Sequence, residues 1–201
     1  MIELVVATRN RHKTREIQPI LGPEFRVYDL GAHPEVSEIR ESGTSFEENA
    51  KLKALAASRQ LPALVIADDS GLEVDALGGA PGIYSARYTG ANATERAKID
   101  KLLCELARVR ATEDGRRARF RCVVALARNG NLLGTFEGIA EGSIADEARG
   151  DSGFGYDPIF IPEGLKQTFG ELPTEVKNTI SHRAKAIRAL ADRLRRLEFG
   201  D

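Results

Sequence analysis

The sequence predicts an α/β domain built on a mixed β-sheet, and three observations carry that prediction. Short apolar, β-branched runs alternate with segments of helical periodicity. One long pair of strand-like runs interrupts the alternation and meets at Asn129-Gly130, a favoured two-residue hairpin turn. The chain has 201 residues, 42% of them hydrophobic, with no repeat, low-complexity segment or linker-like shift. That is enough apolar side chain for a sizeable core, and residues 1–201 read as a single domain.

Taken in order, "IELVVAT" is a buried strand. Ile17, Ile20 and Leu21 then follow helical spacing up to Gly22, with Pro19 predicting a short or kinked helix. The segment "GTSFEENAKLKALAASRQ" opens with capping signatures, Thr44 with Glu47 and Ser45 with Glu48, and carries an apolar stripe of Leu52, Leu55 and Ala56. The strand "ALVIADDSG" is expected to stop at its two aspartates. "LEVDAL" reads as a further strand, followed by the Gly/Pro-rich loop "GGAPGIYSARYTG". "TERAKIDKLLCELARV" is an amphipathic helix with Ile99, Leu102, Leu103 and Leu106 on one face. The hairpin "ARFRCVVALARNGNLLGTFEGIAEG" follows, and then a glycine-rich loop, "RGDSGFGYDPIF". Last comes the helix "SHRAKAIRALADRLRRLE", with Ser181 as candidate cap and Ile187, Leu190, Leu194 and Leu197 as its stripe.

Charge narrows the function classes. Twenty-nine Lys and Arg balance 30 Asp and Glu, for a net charge of -1, so the chain lacks the basic excess on which nucleic-acid binding usually rests. No apolar run approaches membrane-spanning length, and "MIELVVATRN" is not a signal peptide. Cys104 and Cys122 form no CxxC pair and read as reduced thiols. The expectation is a cytoplasmic protein that binds neither membrane nor nucleic acid.

Four stretches carry more chemistry than folding requires. In "VVATRNRHKTRE" a strand runs into a helix N-terminus, where free backbone N–H groups and the helix dipole attract anions. Thr8, Asn10 and Lys13 there resemble a phosphate cradle, although the P-loop pattern is absent. In "RESGTSFEENAKLKA", Asn49 and Lys53 share one helix face, just after Glu41. In "ADDSG", Asp68 and Asp69 at the end of an apolar strand need cationic compensation, and oxygen ligands of this kind suit Mg²⁺. In "GFGYDPIF" and "KNTISHRAKA", glycines permit close backbone approach and Phe154 and Tyr156 offer flat faces. Lys177, His182 and Arg183 add polar groups near a helix start. Together these are the parts a metal–triphosphate nucleotide needs.

The stretches "ATRNRHK", "SGTSFEENAKLKA", "ADDSGLEVDALGGAPGIYSARY", "GFGYDPIF" and "ISHRAKA", in this order along almost the whole chain, resemble the inosine triphosphate pyrophosphatase family. The resemblance implies a long mixed twisted β-sheet flanked by helices, two lobes with a central cleft, a homodimer and a Mg²⁺ requirement. It implies hydrolysis of ITP, dITP or XTP to the monophosphate and pyrophosphate. Carried over, Thr8, Asn10 and Lys13 hold the triphosphate with Lys53 nearby. Asp69 is the general base and a metal ligand, with Asp68 and Glu41 completing the acidic side. Ser70 touches the substrate. Phe154, Gly155, Tyr156 and Asp157 frame base and sugar, and Lys177, His182 and Arg183 read the base edge.

Two positions depart from the family pattern. Arg9 stands where glycine is frequent, and Arg40-Glu41 stands where an acidic pair is frequent. Two other functions compete with the leading one. A Maf-like pyrophosphatase acting on other modified nucleotides is opposed by "SHRAKA". A nucleotide sensor without turnover rests on Arg40 alone.

Overall fold

The computed structural model describes residues 1–37, 39–90, 93–112 and 114–199, with the side chains of residues 114 and 197–199 outside the description. The first βαβ unit is β1 (Ile2–Val6), α1 (Arg11–Leu21) and β2 (Phe25–Asp29), and β2 pairs parallel to β1, Leu4 lying opposite Val27. Helix α2 (Phe46–Ser58) then leads to β3 (Leu64–Val74), which pairs parallel to the other edge of β1. Helix α3 (Glu95–Arg108) precedes the hairpin of β4 (Arg117–Arg128) and β5 (Asn131–Ile144). Asn129 and Gly130, at φ 51° and 76°, supply the two left-handed residues that such a hairpin turn requires. The short strand β6 (Phe160–Pro162) pairs antiparallel to β5, and helices α4 (Thr174–Ile180) and α5 (His182–Phe199) close the chain. The six strands form one mixed sheet in the order β2-β1-β3-β4-β5-β6.

The chain divides into two compact units, one of Met1–Asp69, Cys122–Gly138 and His182–Asp201, the other of Ser70–Arg121 and Ile139–Ser181. The first has a core of β1, α1, β3, β4 and α5 side chains, among them Leu4, Val6, Ile17, Leu21, Ile66, Val124, Ile187, Leu190 and Leu194. In the second, Leu72, Val74, Ile99, Leu102 and Leu106 pack with an aromatic group in which Phe120, Phe160 and Phe169 have ring centroids 4.7 to 6.1 Å apart.

Several expectations change. Strand β3 does not stop at the aspartates: "ALVIADDSG" and "LEVDAL" form one strand through Val74, with a short 3-10 turn over Asp75–Leu77. The carboxylates interrupt the apolar pattern but not the backbone ladder, because cationic side chains meet them (below). In α2 the buried face is Phe46, Asn49, Ala50, Lys53, Ala54 and Ala57, whereas Leu52 is exposed. The expected leucine stripe was therefore the wrong face, and the face that is buried carries the polar pair. Helix α1 runs through Pro19, which sits near its end. In α3, Ile99, Leu102 and Leu106 are buried while Leu103 is only partly so. Strand β2 and helix α4 were not anticipated, and part of "GGAPGIYSARYTG" is a 3-10 helix over Gly82–Arg87. Ser181 is extended and ends α4 immediately before α5. The side chain of Leu197 lies outside the described residues.

Candidate active site

The first unit holds a dense charge cluster, and its position follows from local folding. Asn10 is the N-cap of α1, its side-chain oxygen accepting from the His12 N–H at 3.0 Å, and the Thr8 hydroxyl accepts from the Asn10 N–H at 3.1 Å. This leaves the Asn10 side-chain NH₂ available as a donor beside the helix N-terminus. Lys13, in the first turn of α1, places its ammonium 3.0 Å from Asp68 Oδ1. Arg9 turns elsewhere: its guanidinium donates to the backbone oxygens of Leu30 at 3.2 Å and Val36 at 2.9 Å, tying down the loop after β2.

Successive strand residues project to opposite faces, so Asp68 and Asp69 acquire different partners. Asp68 is met from α1 and α5. Besides Lys13, Arg183 Nη2 lies 3.1 Å from Asp68 Oδ2, and Arg183 Nη1 binds Glu16. Asp68 and Arg183 are almost completely enclosed, with side-chain exposures of 1% and 2%. Burial pushes Asp68 up, but Lys13, Arg183 and Lys53 outweigh it and hold the carboxyl far below the usual range. Asp68 is therefore a fixed anion whose oxygens face Lys13 and Arg183. Arg183 is expected to read a base edge, and its guanidinium donates to Asp68 and Glu16.

Asp69 is met from α2. Lys53 donates to Asp69 Oδ1 at 3.0 Å, to Glu41 at 2.8 Å and to the Asp68 backbone oxygen at 2.8 Å. Asn49 donates from Nδ2 to Asp69 Oδ2 at 3.2 Å. Burial raises the Asp69 carboxyl above its ordinary value; Glu41 adds to the rise, and Lys53 and Lys13 oppose it. Helix α2 is aimed by its N-terminus, where Ser45 accepts from the Glu48 N–H at 3.1 Å and Glu48 accepts from Thr44. The sequence singles out Asn49 only for sharing a helix face with Lys53, with no site role. The signal was in the sequence: two polar residues four apart, on what proves to be the buried face. Glu16 was also missed, and no local pattern marks it, because its partner Arg183 is 167 residues away.

The donor set fits a hard divalent cation. Glu41 and Asp69 both reach Lys53, so two carboxylates converge on one position that already holds a positive charge. Arg40 is exposed, and the carboxylate at position 41 is the one that joins this group. Among the described residues no group of three or more His, Cys, Asp or Glu side chains forms a complete metal cage.

The second unit holds Ser70, half-buried on β3, and a separate aromatic loop. Asp157, buried, accepts from the Phe154 N–H at 2.7 Å and pairs with Lys177 at 2.5 Å. The Lys177 ammonium lies 5.1 Å from the centroid of the Phe154 ring. Gly153, at φ 76°, is required because a Cβ there would sit 2.0 Å from Asp157 Oδ2. Tyr156 departs from expectation. Its ring belongs to the second core, 3% exposed, and its hydroxyl donates to the Ser85 backbone oxygen at 3.1 Å. Phe154 and Gly155 are half-buried. His182, 4% exposed, begins α5 in the first unit.

Comparison with known proteins agrees along the length of the chain. Residues 4–193 match the model of the Ham1 family. A dITP/XTP pyrophosphatase of Desulforamulus reducens is 47% identical over 197 residues, spanning 98% of this chain and 97% of the relative. One of Geobacter sulfurreducens is 49% identical over 195 residues, 96% of this chain and 97% of the relative. Among solved structures, a HAM1 protein from Coxiella burnetii superposes with a TM-score of 0.86 at 41% identity, covering 96% of this chain and 98% of that one.

Proposed function

We propose, from the premise that this chain belongs to the Ham1 family, that it hydrolyses ITP, dITP and XTP to the nucleoside monophosphate and pyrophosphate. The observation that carries the reading is the Asp69 carboxylate, buried, raised above its ordinary value by that burial and held at both oxygens by Lys53 and Asn49. A general base works best with its pKa near the operating pH and its geometry fixed.

In this reading the helix N-terminus at Thr8 and Asn10, with Lys13 and Lys53, receives the triphosphate. Asp69 takes a proton from a water as the water's oxygen bonds the α-phosphorus. The bond from that phosphorus to the bridging oxygen breaks, and pyrophosphate leaves against the cationic side chains. Glu41 and Asp69 would hold Mg²⁺, which supplies positive charge for the departing group. Asp68 holds Lys13 in place. Ser70 contacts the substrate, and Phe154, Gly155 and Asp157 receive base and sugar. Lys177 and His182 are the donors for a 6-keto group, which hypoxanthine and xanthine carry and adenine does not; a donor facing adenine's amino group would be left unpaired. Arg183 has five N–H donors, of which three meet Asp68 and Glu16, and a contribution to the base edge would come from the others. We place the enzyme in the cytoplasm as a homodimer acting as one domain over residues 1–201, with the family resemblance as support.

The test is a panel of ITP, XTP, GTP and ATP with and without Mg²⁺, with products identified. The expected result is pyrophosphate, released faster from ITP and XTP than from GTP and ATP, and only with the metal. Orthophosphate as product, or equal rates on all four, overturns the assignment. Light scattering at micromolar concentration tests the dimer.

A further inference from the structure

Asn49 is fully buried on α2, and both ends of its side-chain amide are occupied. Its Oδ1 accepts from the Gly43 N–H at 2.8 Å, so Nδ2 must be the atom that donates to Asp69 Oδ2 at 3.2 Å. The opposite orientation would set the NH₂ against a backbone N–H and an oxygen against a carboxylate. The amide is therefore locked from behind. Lys53, one helical turn further along α2, holds the other Asp69 oxygen at 3.0 Å. Gly43 belongs to the same device. A Cβ at position 43 would lie 2.8 Å from Asn49 Oδ1 and 2.7 Å from the Glu48 Cβ, so only glycine lets the loop reach the amide.

We propose that Asn49 is a positioning residue for hydrolysis, set by Gly43, whose amide fixes the plane of the Asp69 carboxylate so that a remaining lone pair faces the attacking water. The role rests on the activity proposed above. An ionised carboxylate offers about four acceptor sites; Lys53 and Asn49 hold one on each oxygen and leave capacity for the water. No other common side chain matches both neighbours. Aspartate would keep the bond from Gly43 but turn a second anion towards Asp69, and glutamine is one methylene too long for the space between them.

Two variants test the role. Asn49→Asp retains volume and the acceptor for Gly43 while removing the donor to Asp69. Gly43→Ala keeps the Asn49 side chain but sets a methyl group against its Oδ1 and the Glu48 Cβ, so the loop and the amide must separate. Each is expected to lower kcat on ITP about 10- to 100-fold, the usual loss when the partner of a working ligand is removed. KM for ITP, and both affinity and stoichiometry for the non-hydrolysable α,β-imido analogue of ITP, should stay within about threefold of wild type, because uniform binding is untouched. A merely structural role would instead reduce the folded fraction and the binding stoichiometry together with kcat. A kcat within about twofold of wild type in the variants, or analogue affinity lost in step with kcat, overturns the proposal. If Asn49→Asp does not fold, Gly43→Ala decides. Wild-type protein run in parallel separates the two readings. Absence of pyrophosphate from wild type overturns the activity and this role with it; normal wild-type turnover with undiminished variants overturns the role of Asn49 alone.

Discussion

The charge cluster of the first unit and the aromatic loop of the second are built on opposite principles. In the first, Lys13, Lys53, Asp68, Asp69 and Arg183 have side-chain exposures of 16% or less, and each is tied to another by an ion pair. In the second, Lys177 pairs with Asp157 and its ammonium lies over the rings of Phe154 and Phe169. Removing a member of the first leaves a buried charge without its partner, a loss of about 3–5 kcal/mol. Removing a ring of the second leaves apolar space. If, as proposed, the first region carries the chemical step and the second recognition, substitutions should split between kcat and KM by region.

The largest effect is expected at Asp69. Asp69→Asn removes the proposed base, and kcat should fall about 10²- to 10⁴-fold while affinity for the α,β-imido analogue stays within a few-fold. Loss of binding with retained kcat would break the division of roles. Asp68→Asn should cost stability: about 3–5 kcal/mol in urea unfolding at pH 7, because Arg183 and Lys13 lose a buried anion. The sign with pH follows from the direction of the shift. The Asp68 carboxyl is depressed in the folded state, so its contribution is full above the unfolded value of about 3.9 and is lost as pH falls below it. Wild type should therefore lose its advantage over Asp68→Asn in acid; an advantage independent of pH would count against the anchor role.

A smaller change is expected from the second region. Phe154→Ala should raise KM for ITP about tenfold, the scale of one lost base–aromatic contact, with kcat nearly constant. A fall in kcat at constant KM would join the loop to the chemical step. The smallest belongs to Arg9→Ala. Two bonds to the loop after β2 are lost, so unfolding should shift by about 1 kcal/mol with ITP turnover within twofold. A large rise in KM would return Arg9 to the phosphates.

Local patterns and long-range partners were unequally visible. The hairpin at Asn129-Gly130 was legible because two-residue turns demand left-handed backbone, and Asn-Gly supplies it. The start of α2 was legible because Ser45 and Glu48 make a cap at fixed spacing. The buried face of α2 was not: leucines drew the stripe one way, while alanines, which let the helix lie close, turned Asn49 and Lys53 inward. The fates of the aromatic residues in "GFGYDPIF" were also hidden, because Phe154 and Tyr156 are two apart and only the fold decides which ring enters the core.

By itself the sequence determined the α/β class, the capped helix and hairpin, and, through ordered motifs, the family. These depend on backbone preferences and side-chain types within a few residues of each other. Only the tertiary structure decided that β3 runs on through Asp68 and Asp69, that Arg183 reaches back to Glu16, that Arg9 turns to Leu30 and Val36, and that Asn49 holds Asp69. Each of these is a charge or dipole finding its partner across tens of residues. In a buried site that partner is selected by which groups the fold leaves without water, a condition no short stretch of sequence contains.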